Sequence, residues 1–72
     1  MRLIQREIWM PEIYVHAVRG RTAEQKKALM RDITDAVVRN FNTTPESVVV
    51  SIIETEPACK AKGGVLFSEM KR

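Results

Sequence analysis

A β-α-β subunit with parallel strands is the architecture this sequence predicts, in the α/β (α+β) class. It adds a short C-terminal hairpin and a sheet that other chains must complete. Three observations point there. Glu12 to Val18 (EIYVHAV) alternates at period two, the pattern of a strand with two unlike faces. Residues 22 to 41 carry an amphipathic helical pattern with no Gly or Pro inside it. Val48 to Ile53 (VVVSII) is β-branched everywhere except Ser51, as in a strand covered on both sides. About thirty residues and a helix separate the two strands, enough for a right-handed parallel crossover.

Each element carries its own signals. In the first strand Ile13, Val15 and Ala17 fall on one side, with Tyr14, His16 and Val18 on the other. Arg19-Gly20-Arg21 breaks it, with Gly20 free to take a positive φ. Thr22 is a good N-cap, and Gln25 stands three residues later in the capping-box pattern. At 100° per residue Leu29, Met30, Ile33, Ala36, Val37 and Phe41 share one side of the helix, the side predicted to pack on the sheet. Glu24, Lys27, Arg31, Asp35 and Arg39 share the solvated side. Asn42-Thr43-Thr44-Pro45-Glu46 ends the helix, with Pro45 fixing φ in a turn. A polar loop, TEPACKAK, then leads to Gly63-Gly64 and the apolar VLF, which fits a Gly-Gly hairpin or a late small strand.

Size decides what else is needed. The chain has 72 residues, a net charge of +3, one Cys and one His. A domain this small buries only about 60% of the surface its unfolded chain exposes. Disulfide, metal or association are the usual remedies. Cys59 has no partner for a disulfide, and one Cys with one His is far from a zinc set. Two paired strands are marginal alone, so association is expected: a homo-oligomer, hexamer or dimer, with a hetero-oligomer as the variant. No apolar run reaches the roughly 18 residues of a membrane span. Arg2, Arg6 and Glu7 interrupt any secretory signal in MRLIQREIWM, so a cytoplasmic protein with an unpaired thiol is expected. The basic residues are spread along the chain among acids, with no aromatic ladder, which argues against a nucleic-acid partner.

Catalytic sets of the common kinds are missing. One His excludes a choice of triads, and there is no phosphate-binding glycine loop and no Cys-x-x-Cys. His16 reads as a strand histidine. Cys59, although Lys60 and Lys62 are near in sequence, reads as an incidental thiol. Glu54 and Glu56 stand two apart at a strand end without a shared site. Pro11 opens the first strand, where a residue without an N–H belongs.

The stretch that begins there, PEIYVHAVRGRTAEQKKALMRDITDAVVRNFNTTPESVVVSIIETEP…GG, resembles the 4-oxalocrotonate tautomerase family. The shared features are the proline opening strand one, Gly20-Arg21-Thr22, Glu24-Gln25-Lys26, Pro45-x-Ser47-Val48 and Gly63-Gly64. Residues 1–10 are then an N-terminal extension and 11–72 a tautomerase-like domain. The resemblance implies paired subunits in trimers of dimers and an enol–keto isomerase acting on a small unsaturated 2-keto/2-hydroxy acid without a cofactor. It implies a catalytic Pro11, basic only as a free amino terminus, and Arg21 as ligand of the substrate carboxylate. An α-amino group has an unperturbed pKa near 7.7–8.0, suited to proton abstraction beside a carbonyl. Cationic donors then stabilise the dienolate.

The sequence departs from the family at two places. Val49 stands where the second family arginine falls, and Lys60 at or near the pocket-closing aromatic, so the usual dicarboxylate substrate loses part of its support. Arg19 and Lys60 are the candidates to replace the lost charge. With Met10 ahead of it, Pro11 nitrogen is a tertiary amide whose lone pair is delocalised. Leu3, Ile4, Ile8 and Trp9 make the extension partly apolar, and the alternative is a non-catalytic subunit whose pocket residues 1–10 block.

Overall fold

The computed structural model describes residues 10–70, and the expected placement of residues 1–10 over the pocket lies outside them but for Met10. Strand β1 (Glu12–Val18) leads into helix α1 (Ala23–Phe41), which returns the chain to β2 (Val49–Thr55). The two strands are parallel, with Ile13 beside Val50, Val15 beside Ile52 and Ala17 beside Glu54. Strands β3 (Ala61–Lys62) and β4 (Val65–Leu66) form a separate antiparallel hairpin. Gly63 and Gly64 turn it at φ +60° and +83°, the paired positive φ that a two-residue primed turn requires.

The helix begins as its sequence dictates. Thr22 Oγ1 accepts from the Gln25 N–H at 3.1 Å, and Gln25 Oε1 accepts from the Thr22 N–H at 3.0 Å. Both arms of the capping box are therefore made. The helix ends on Asn42 in the left-handed region, φ 56°, a conformation Asn tolerates better than most residues. Short 3-10 turns at Pro45–Ser47 and Pro57–Cys59 bracket β2.

Three expectations shift. The second strand runs from Val49 to Thr55 rather than Val48 to Ile53. Glu54 and Thr55 pair with Ala17 and Val18, because the ladder uses backbone groups whatever the side chain. Val48 instead closes the preceding turn, its N–H donating to the Pro45 carbonyl at 3.1 Å. The helix face is also narrower than its pattern. Met30, Ile33, Ala36 and Val37 are half-buried, whereas Leu29 and Phe41 are 42% and 67% exposed. Two strands about 4.8 Å apart cannot cover the whole apolar stripe of a 19-residue helix.

Third, the two faces of the sheet differ in cover. Ile13, Val15 and Ala17, with Val50 and Ile52 beside them, are half-buried toward α1. On the other side Tyr14, His16, Val49 and Ile53 are all exposed. No described residue is fully buried within this single chain. The sheet is open, and a two-sided strand such as β2 has only one side covered by its own chain.

Candidate active site

Strand β1 separates the two residues that the sequence singles out. Pro11 precedes it and Arg21 lies three residues beyond its end. At roughly 3.3 Å per residue, seven strand residues hold them on the order of 20 Å apart. One chain does not bring Pro11 and Arg21 together.

Pro11 is anchored rather than frayed. Its carbonyl accepts from the Val49 N–H at 3.0 Å, extending the parallel ladder to the proline itself. The pyrrolidine has no N–H to waste at this position, so nitrogen and ring sit at a fixed strand end. Close by, Glu12 lies beside Val49 in the register. The Tyr14 hydroxyl donates to the Glu12 carboxylate. That hydrogen bond and the adjacent negative charge hold the Tyr14 phenol above its ordinary pKa. The strand and turn residues described at this end, 10–13 and 43–50, include no Lys or Arg; Arg39 belongs to the exposed charged side of α1.

The far end of the sheet is cationic. A concavity there is lined by Ala17, Val18, Arg19, Gly20 and Arg21. A second adjoins it, lined by Arg21, Gln25, Lys26 and Leu29. Arg21 borders both. Gly20 makes the corner at φ +146°, a backbone setting that favours glycine.

Three cations line these two concavities, Arg19, Arg21 and Lys26, and two are already engaged. Arg19 donates to the Glu56 carboxylate, which raises the guanidinium pKa further. The Lys26 ammonium reaches both oxygens of Glu54 at 3.2 Å. The Lys26–Glu54 side chains are 29% and 28% exposed, against 65% and 53% for Arg19–Glu56, so the lysine pair is the less screened by solvent. Among the described residues Arg21 makes no ion pair or side-chain hydrogen bond. Sequence reading missed both pairs, because their partners lie 37 and 28 residues apart and no periodicity links them.

The remaining candidates are placed as follows. Lys60 holds its ammonium 5.6 Å from the centre of the Phe67 ring, a cation–π contact rather than a free charge. Neither it nor Arg19 is therefore an idle replacement for a second arginine. His16 is an exposed residue of the open face beside Ile53. Cys59 is exposed at the end of a 3-10 turn. Among the described residues no His, Cys, Asp and Glu cluster could hold a metal ion, and no helix is long and apolar enough to cross a membrane.

Comparison with known proteins starts at the same proline. The model of the tautomerase enzyme family matches residues 11–70. The chain belongs to this family, the superfamily of 4-oxalocrotonate tautomerase. It is 48% identical over 60 residues to "Probable tautomerase bsl7456" of Bradyrhizobium diazoefficiens, covering 83% of this chain and 90% of that one. It is 35% identical to a 2-hydroxymuconate tautomerase of Pseudomonas putida over 88% of this chain and the whole of that relative. The solved structure of a heterohexameric 4-oxalocrotonate tautomerase from Chloroflexus aurantiacus superposes with a TM-score of 0.78 at 27% identity, covering 86% of this chain and all of that one. The expected β-α-β subunit with an open parallel sheet and a C-terminal hairpin is the fold of these proteins.

Proposed function

We propose that this tautomerase-family chain is an isomerase that moves a proton between oxygen and carbon on a small unsaturated 2-keto/2-hydroxy acid. Pro11 is its general base whenever it is the amino terminus, and Arg21 binds the substrate carboxylate. The observation that carries this reading is the family match beginning on Pro11, the residue whose carbonyl closes the first rung beside Val49. The reaction needs no cofactor. The free secondary amine takes the enol O–H proton, and the carbonyl forms as the electron pair shifts along the diene. The ammonium then returns the proton to carbon. Arg21 pairs with the carboxylate and stabilises the dienolate.

The separation of Pro11 from Arg21 along one strand supports a site shared between subunits. A substrate of a few ångströms cannot touch both in one subunit, so Pro11 of one chain meets Arg21 of another. Association therefore serves catalysis as well as the open face of the sheet, and homo- or hetero-oligomers both satisfy it.

Met10 favours a second reading. While Met10 remains bonded to it, Pro11 nitrogen is an amide with no usable basicity, and the chain is a non-catalytic subunit of the same fold. Three chains separate the readings: residues 1–72 intact, a chain beginning at Pro11, and the latter carrying Pro11→Ala. Ketonisation of a 2-hydroxydienoate is expected to be fastest for the second by about 10²–10⁴-fold, the usual worth of a general base. Equal rates from the chain beginning at Pro11 and its Pro11→Ala variant would remove the proline mechanism. Mass spectrometry of the native amino terminus shows which form the cell uses.

A further inference from the structure

We infer that the substrate carries a single carboxylate and presents a neutral, apolar tail to the Pro11 end of the sheet, where Val49 and Glu12 reject a second anion. This rests on the isomerase reading above and narrows its substrate class. Charge is distributed unequally between the two ends of the strand pair. At one end three cations line the two concavities, and two of them are held by carboxylates: Glu56 holds Arg19, and Glu54 holds Lys26. Among the described residues of this end, Arg21 is left to receive an anion, and it borders both concavities. One uncommitted guanidinium matches one carboxylate, which it can grip through two parallel hydrogen bonds.

The strand and turn residues described at the other end, 10–13 and 43–50, offer no cation to a second carboxylate, and Arg39 lies on the exposed charged side of α1. Val49 is 39% exposed at the head of β2, an apolar surface beside the proline it hydrogen-bonds. Its register neighbour is Glu12, already an anion. A carboxylate brought against Val49 would lose water without gaining a cation from these strand and turn residues, and would meet the like charge of Glu12. An apolar tail, in contrast, gains from covering the exposed Val49.

The test compares two enols that differ by one group: 2-hydroxymuconate, a dicarboxylate, and 2-hydroxypenta-2,4-dienoate, its monocarboxylate counterpart. Both are given to the chain beginning at Pro11, whose relatives of that length match it end to end. The monocarboxylate is expected to have the higher kcat/KM, by about tenfold or more, the size of one unmet charged contact. Val49→Arg is expected to reverse the preference, and Glu12→Gln to narrow it. The glutamine variant keeps the question answerable if the arginine variant does not fold. A wild-type preference for the dicarboxylate overturns the inference and leaves the isomerase reading standing. Loss of turnover on both substrates overturns both.

Discussion

The two ends of strand β1 carry opposite chemistry. The Pro11 end is apolar and acidic, with Val49 and Glu12 beside a nitrogen fixed on the sheet. The Arg21 end is basic, lies where the crossover enters the helix, and has two of its three cations neutralised. A proton-transfer site needs a base and a cation in one place: an apolar surrounding such as Val49 keeps an amine neutral, the Glu12 charge opposes this, and a carboxylate wants a cation. On the proposed mechanism, their separation along a strand keeps Arg21 apart from Pro11 within one chain. On that mechanism, oligomerisation would join the ends of different chains. The contrast teaches that a subunit with no fully buried residue among those described also leaves its two candidate site residues apart.

The contrast can be broken most severely at the basic end. Arg21→Ala is expected to lower kcat/KM by about 10²-fold or more, as loss of a charged stabiliser does, with circular dichroism unchanged. Arg21→Lys should recover part of this, since a point charge replaces a bidentate fork. An alanine variant as active as the parent would move carboxylate binding elsewhere.

The join between ends can be tested by mixing. Pro11→Ala and Arg21→Ala chains, each inactive, are dissociated together and reassociated. If a site draws its proline and arginine from different subunits, random pairing restores about a quarter of the sites in a symmetric assembly. No recovery in verified mixed oligomers would mean that Pro11 and Arg21 do not act together in one site.

The smallest effect concerns the helix start beside Arg21. Thr22→Ala removes one arm of the capping box and is expected to cost about 1 kcal/mol. For a domain of this size that lowers the melting temperature by roughly 4–8 °C. Activity per folded molecule should stay near the parent value. A large activity loss would mean that the cap also sets the position of Arg21.

Legibility in the sequence followed the range of the physics. Strand β1 was readable to its ends because its period-two pattern is local, and α1 because Thr22 and Gln25 announce its start three residues apart. The end of β2 was not, since Glu54 breaks the apolar run while its backbone stays in the ladder. Leu29 and Phe41 matched the helical stripe yet remain exposed, because periodicity gives direction and not the width of the surface opposite. In the candidate site, Pro11 and Arg21 came from a resemblance and not from composition. The pairing of Arg19 and Lys26, which leaves Arg21 uncommitted, depends on where β2 and the following turn fold back.

The rung between the Val49 amide and the Pro11 carbonyl bears on maturation. The sheet is zipped up to the imino acid itself, so the scaffold on the substrate side is finished while the preceding bond still exists. If cleavage or an internal start exposes Pro11 as an amino terminus, this rung needs no rearrangement to hold it. Activity should therefore rise in proportion to trimmed ends, without a lag.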